Sequence, residues 1–258
     1  MKSRLIAQVL VIVFLIAFAS FAFAQTADNT GHQELLSKHY RLEKPKAAGP
    51  FPAVMMVPGC SGFHAEFQKE YYDSVQKRLV ESGFVTLRVN SLAARNATNC
   101  RQGMLFPSDG ANDIYIASEY LLQQPFVKKG AINLIGWSWG GAAALSTLSI
   151  TKGQKPIAVD AVVAYYPACD YAQKWNSGVP VLVLGGSLDN VAPISKCEAL
   201  FSTLPKSNKL AVKTYDGAHH AFDNFQLPAE MQYPFGTMGY NESAAKSAWM
   251  EVTNFLRK

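Results

Sequence analysis

The sequence predicts an α/β protein, a mostly parallel sheet with helices on both faces. Three observations predict it. From residue 50 onward, short runs of β-branched and other apolar residues alternate with longer segments of helical period. Those runs are continuously apolar rather than alternating, as strands buried on both faces are. No repeat, low-complexity tract or long linker divides the chain, so the elements belong to one domain.

In chain order, a first strand is expected near His39–Leu42, at an edge of the sheet. The apolar runs that follow are Ala53–Val57, Phe84–Val89, Ile132–Gly136, Ala161–Tyr165, Val179–Leu184 and Leu210–Tyr215. Between them, Glu66–Ser82 carries apolar residues at helical spacing and stops at Gly83, while Asp113–Gln123 does the same and stops before Pro125. Helices at Gly140–Ile150, Ile194–Leu204 and Ser243–Leu256 complete the set.

Composition alone points elsewhere. The 258 residues are 49% hydrophobic and only 17% charged, with a net charge of +5, which suggests a membrane protein or a polyanion binder. The location of those residues reverses both hints. Met1-Lys-Ser-Arg4 precedes an apolar stretch, Leu5–Ala24, broken only by Gln8 and Ser20, and Ala22-Phe-Ala24 supplies small residues where signal peptidase reads them. Residues 1–24 are therefore expected to be a signal peptide cleaved before Gln25, and residues 25–258 a single domain, periplasmic or secreted. An uncleaved anchor is the competing reading, since about 20 apolar residues can span a bilayer. No later run is that long, so the mature chain is expected to be soluble, without stable membrane insertion. Losing Lys2 and Arg4 lowers the net charge from +5 to +3 and leaves no block of five like charges, which removes the support for nucleic-acid binding. Four cysteines in an exported chain suggest two disulfides, and their positions alone leave three connectivities open.

The segment richest in chemistry is Ile132-Asn-Leu-Ile-Gly-Trp-Ser-Trp-Gly-Gly-Ala142, an apolar strand running through Gly136-Trp-Ser-Trp-Gly140 into an alanine-rich helix. This is the pattern of a nucleophile elbow, in which the serine takes strained backbone angles and its neighbours two before and two after must be small for strand and helix to approach. Ser138 would stand at the carboxyl end of the sheet and the amino end of a helix, where developing negative charge is favoured. The α/β-hydrolase chain order then requires an acid and a histidine after later strands. Val179–Leu184 runs into Gly185-Gly-Ser-Leu-Asp189, and Leu210–Tyr215 runs into Asp216-Gly-Ala-His-His-Ala-Phe222. Asp189 is the expected acid, with Asp216 a rival that lies too close to the histidine loop; His219 and His220 are both candidates for the base. For the oxyanion, the residue after the nucleophile contributes the Trp139 N–H, and the turn Pro58-Gly-Cys-Ser-Gly62 contributes the Cys60 N–H.

With these motifs the chain resembles the dienelactone hydrolase family of the α/β-hydrolase fold, over roughly residues 50–256. The resemblance rests on Pro58–Gly62, Pro125-Phe-Val127, Gly136-Trp-Ser-Trp-Gly-Gly141, Tyr165-Tyr-Pro-Ala-Cys169, Gly185–Asp189, Tyr215–Asp223 and the final helix after Gly239-Tyr-Asn241. It implies that the histidine directly before a small residue and phenylalanine is the base, which selects His220. The family's namesakes look to use a cysteine where this chain has Ser138, and a glutamate in the loop that here reads Pro58-Gly59-Cys60. The resemblance thus implies hydrolysis of a small or medium ester, lactone or related acyl bond, and does not carry dienelactone itself over.

Expected strand order favours the pairing Cys169–Cys197, with Cys60–Cys100 as the second bridge. A metal site is not expected, because no C-x-x-C or H-x-x-x-H spacing is present, and no cofactor is implied. Trp137 is expected in the core and Trp139 in the core or an acyl pocket. Arg95, Arg101 and the polar stretch Asn96–Gly103 are expected as a solvated loop, with substrate contact as the alternative. Two other functions stand beside the serine hydrolase: a catalytically silent fold used for binding, and a small peptidase.

Overall fold

Strands that are apolar at every position can only be satisfied between two layers of helix, and the central strands here are of that kind. The computed structural model describes residues 31–63, 65–130, 132–149, 157–172 and 174–257. The expected signal peptide, residues 1–24, and Ile150 at the end of one expected helix lie outside them.

The strands are β1 (Arg41–Glu43), β2 (Ala53–Val57), β3 (Val85–Arg88), β4 (Ile132–Trp137), β5 (Val159–Tyr165), β6 (Val181–Gly186) and β7 (Leu210–Tyr215). They form one seven-stranded sheet in the order β1-β3-β2-β4-β5-β6-β7. Only β1 is antiparallel, and its charged Arg41 and Glu43 suit an edge. A separate antiparallel hairpin, β8 (Met231–Tyr233) and β9 (Gly236–Met238), follows β7. The helices are α1 (residues 31–37), α2 (Lys69–Glu81), α3 (Pro107–Gln123), α4 (Trp139–Ser146), α5 (Ile194–Ser202) and α6 (Glu242–Leu256).

Alternate residues of each strand serve opposite layers. Met55, Leu87, Leu134, Val162 and Val183 pack with Ile114 and Leu121 of α3, Ala143, Ala144 and Leu145 of α4 and Cys197 of α5. Val54, Met56, Ile135, Val163 and Leu182 pack with Tyr72, Val75 and Leu79 of α2 and Ala248, Val252 and Leu256 of α6. The chain therefore has the α/β-hydrolase architecture that its sequence predicts.

Several element ends differ from expectation. Helix α3 starts at Pro107, six residues before the expected Asp113: proline stands in the first turn, and Asp109 accepts the Phe106 N–H at 2.8 Å. Strand β6 ends at Gly186 rather than Leu184, because Gly185 and Gly186 pair with Thr214 and Tyr215. Register matters more than the ends. Val57 pairs with Gly136, Trp137 with Tyr165, and Gly186 with Tyr215. The carboxyl ends of β2, β4, β5, β6 and β7 are thereby aligned along one edge, and the loops that leave them meet there.

Candidate active site

At that edge β4 turns into α4 through Ser138, whose backbone sits at φ 52° and ψ −117°, a conformation L side chains rarely adopt. The turn is held by three hydrogen bonds: Ser138 N–H to the Tyr165 carbonyl (2.9 Å), and the Ala142 (3.0 Å) and Ala168 (3.4 Å) N–H groups to the Ser138 carbonyl. It is possible only with glycine on both sides. A Cβ on Gly136 would lie 2.2 Å from the Gly140 carbonyl oxygen, and one on Gly140 would lie 2.3 Å from the carbonyl oxygens of both Val57 and Pro58.

Asp189 follows β6 and His220 follows β7, so the two aligned strands deliver them side by side. His220 Nε2 is 3.0 Å from Ser138 Oγ, and its Nδ1 is 2.7 Å from Asp189 Oδ2. The other carboxylate oxygen, Asp189 Oδ1, accepts the N–H groups of Val191 (2.9 Å) and Ala192 (2.8 Å), which fixes the plane of the side chain. Asp189 and His220 are almost fully buried, at 5% and 4% exposure. A hydroxyl bonded to an imidazole whose far nitrogen is held by a buried carboxylate is an arrangement able to make serine a nucleophile.

The rival candidates stand apart. Asp216 is exposed and accepts from Ser187 Oγ (3.1 Å), and His219 lies 3.3 Å from the Leu188 carbonyl oxygen. Cys60 and Trp139 border the serine: a Cβ on Gly59 would lie 3.6 Å from Ser138 Cβ, and Trp139 opens α4 directly after Ser138. Neither backbone N–H has a hydrogen-bond partner among the described residues. The disulfide Cys60–Cys100 (Cα–Cα 4.8 Å) and the Cys100 N–H to Cys60 carbonyl bond (2.8 Å) anchor this turn to the loop after β3. The second disulfide, Cys169–Cys197 (Cα–Cα 5.0 Å), ties the loop after β5 to α5. Both pairings are those expected from strand order.

Trp137 is buried, as expected, and Trp139 packs into the core with its Nε1–H on the Leu105 carbonyl (3.1 Å). Arg95 is not a free loop cation. It forms two bonds with Asp113 (2.6 and 3.0 Å), and His32 of α1 contacts the same carboxylate at 2.6 Å. Arg101 lies over the Phe235 ring at 3.2 Å from its centroid, linking the loop after β3 to the β8–β9 hairpin.

Three supports of the site carry no expectation from sequence. Tyr72 Oη accepts the Gly59 N–H at 3.0 Å, and burial holds that phenol's pKa well above its ordinary value. The β8–β9 hairpin bridges Met238 to His220 and passes the Thr237 N–H to Asn190 Oδ1 (2.8 Å), bracing the base and acid loops together. The Tyr166 ring packs on His220 with centroids 4.6 Å apart. Tyr72 lies in the expected helix Glu66–Ser82 and Tyr166 in a motif that carries the resemblance, but neither segment signals a role at the site, and the hairpin gives no sequence signal. Among the described residues no group of three His, Cys, Asp or Glu side chains is placed to hold a metal ion, and no helix is long and apolar enough to cross a membrane.

Comparison with known proteins fits this geometry. The family model described as "Dienelactone hydrolase family" matches residues 39–258. Among curated proteins, the chain is 25% identical to a probable 2-oxo-3-(5-oxofuran-2-ylidene)propanoate lactonase of a Bradyrhizobium species, over 84% of this chain and 87% of that one. It is 24% identical to Cutinase 1 of Thermobifida cellulosilytica over 70% of this chain, and spans 64% of that cutinase's length. Among solved structures, a putative dienelactone hydrolase from Klebsiella pneumoniae superimposes with a TM-score of 0.66 at 18% identity, covering 85% of this chain and 92% of that one.

Proposed function

The chain belongs to the dienelactone hydrolase family, and from that membership we propose that it is a serine hydrolase cleaving a small or medium carboxylic ester or lactone. The observation that carries the reading is the continuous hydrogen-bond chain from Ser138 through His220 to Asp189. The names of its relatives, a lactonase and a cutinase, agree with an acyl-oxygen bond as the target.

In this reading Ser138 Oγ attacks the carbonyl carbon while its proton passes to His220 Nε2. Asp189 Oδ2 accepts the Nδ1–H and stabilises the imidazolium that forms. The carbonyl π electrons move to oxygen, and the Cys60 and Trp139 N–H groups receive that oxyanion. Collapse breaks the acyl–oxygen bond, the leaving alkoxide takes the proton from Nε2, and the acyl group remains on Ser138. Water then repeats the sequence: His220 removes its proton, the tetrahedral intermediate collapses, and Ser138 regains its hydrogen as the carboxylic acid departs. For a lactone, both product groups stay on one molecule. No step calls for a metal or an organic cofactor.

The two disulfides support export to an oxidising compartment, in keeping with cleavage of residues 1–24 before Gln25. The test of the reading is labelling by a fluorophosphonate probe together with turnover of short-chain chromogenic esters. Wild type should be labelled at Ser138 and should turn over, and Ser138→Ala should do neither. Equal, background rates in both proteins across several acyl lengths, with Ser138 unlabelled, would exclude it.

A further inference from the structure

Behind Ser138 lies a second buried carboxylate that the proposed reaction does not use. Asp223 is 9% exposed, and its Oδ2 accepts from the Tyr71 hydroxyl and from Trp137 Nε1–H (3.1 Å) while its Oδ1 accepts from the Tyr166 hydroxyl (2.7 Å). Burial pushes its pKa above the ordinary carboxylate value, and the three donors pull it back. A carboxylate in a core is costly, and here its three side-chain donors are aromatic residues, with Arg78 lining the same cavity and acting on it through charge alone.

Each donor leads to a different part of the site. Trp137 immediately precedes Ser138 and stacks on Tyr165 (centroids 5.7 Å, interplanar 12°), whose carbonyl holds the Ser138 N–H. The Tyr166 ring lies against the His220 imidazole. Tyr71 packs on Tyr72, which holds the Gly59 N–H next to Cys60 (ring centroids 5.0 Å). Backbone strain collects at the same place. Ser138 (φ 52°), Tyr166 (φ 36°) and Ala221 (φ 60°), the residue after His220, are all non-glycine residues at positive φ. Such conformations persist only where the surroundings over-determine them, and they gather where geometry has a task.

We propose that Asp223 is a positioning residue for the Ser138–His220 pair: by pinning Trp137 and the Tyr166 hydroxyl, it fixes the elbow that carries the nucleophile and the ring that backs the imidazole. The proposal rests on the serine-hydrolase reading, and its test separates the two. In Tyr166→Phe the ring stays and only the tether to Asp223 goes. In Asp223→Leu all three tethers go. Asp223→Asn restores them, its oxygen accepting from Trp137 and Tyr71 and its NH2 donating to a Tyr166 hydroxyl turned to accept.

The measurement is kcat and KM for a chromogenic ester, expressed per site titrated by a fluorophosphonate, alongside the melting temperature. Misplacement of reacting groups lowers kcat with little effect on KM, so about a tenfold fall is expected for Tyr166→Phe and about a hundredfold for Asp223→Leu. Asp223→Asn should return to within about threefold of wild type, its tethers being re-formed. A purely structural Asp223 gives a different result: lower melting temperature or fewer titratable sites, with wild-type kcat per site in Tyr166→Phe and Asp223→Leu. That outcome overturns the proposal. If Asp223→Leu does not fold, Tyr166→Phe decides by the same criterion. A wild-type protein that neither labels nor turns over overturns the serine-hydrolase reading first, before any variant is compared.

Discussion

Replacing Asp189 by asparagine changes which atom faces the imidazole, and the site leaves the new side chain no choice of orientation. Asp189 Oδ1 accepts two backbone N–H groups, from Val191 at 2.9 Å and Ala192 at 2.8 Å. An NH2 group in that position would oppose two donors, so the asparagine oxygen must take it. The NH2 then points at His220 Nδ1, where the carboxylate stood at 2.7 Å. Imidazole answers by presenting a lone pair at Nδ1 and carrying its proton on Nε2, which faces Ser138 Oγ at 3.0 Å and can no longer receive the serine proton. A wrong tautomer in such a constellation costs about ten thousandfold in kcat. That factor corresponds to about 5 kcal/mol of transition-state stabilisation. KM should change little, because the carboxylate touches the imidazole and not the substrate. Alanine at 189 leaves Nδ1 open to water, which can accept its hydrogen, so Asp189→Asn should be at least as slow as Asp189→Ala. The assay is steady-state hydrolysis of a short-chain chromogenic ester at neutral pH, normalised to folded protein by circular dichroism. An Asp189→Asn protein within about tenfold of wild type would refute the reasoning, since it would mean that Asp189 does not hold the tautomer.

Three further outcomes are expected, two from the geometry of the site and its loops and one from the sequence. Gly140→Ala puts a Cβ 2.3 Å from two backbone carbonyl oxygens, which cannot rotate away, so it should yield no folded protein with a labelled Ser138; a cooperative melt with normal labelling would contradict this. Removing either disulfide, which close 40 and 28 residues, should cost about 4 kcal/mol in the chain-entropy account. In a domain of this size that is about 10 °C in melting temperature by scanning calorimetry. Only Cys60→Ser/Cys100→Ser should also lower kcat, because it frees the turn that carries the Cys60 N–H, and equal kcat in the two double variants would count against that turn's role. Expressed with residues 1–24 in an exporting host, the protein should have Gln25 as its first residue by N-terminal sequencing if that segment is the proposed signal peptide, and an intact Met1 would favour the anchor.

The central strands were legible because burial on both faces leaves a run with no polar interruption, as in Ala53-Val-Met-Met-Val57. Their ends were less legible, since pairing fixes them and composition does not: the last two residues of β6 are glycines, without a side chain to signal a strand. The start of α3 gives no apolar signal for a related reason. Gly110 breaks the apolar rhythm, yet it lets α3 approach α4 so closely that a Cβ there would lie 2.7 Å from the Trp139 ring. The β8–β9 hairpin has strands of three residues, too short for any alternation to register. Ser138, Asp189 and His220 could be picked out because each sits just past the end of a recognisable strand. The sheet register then decides that they meet.

What could not be read are contacts between distant segments. Tyr166 lies 57 residues from Asp223, Trp137 lies 86 and Tyr71 lies 152, and no spacing rule spans such intervals. Arg95 shows the converse, because an arginine in a polar loop has the same local sequence whether it is solvated or, as here, locked to Asp113. Local sequence therefore specifies which chemical groups reach the rim, through strand length and turn composition. Long-range packing specifies how firmly they are held there. The strained φ at Ser138 could be anticipated from its two glycines, whereas that at Tyr166 and Ala221 could not, because neither stands in a glycine-rich turn of its own. Strain without a local sequence cause needs a tertiary one, and both residues adjoin Asp223, Tyr166 through its hydroxyl and Ala221 two positions before it in the chain.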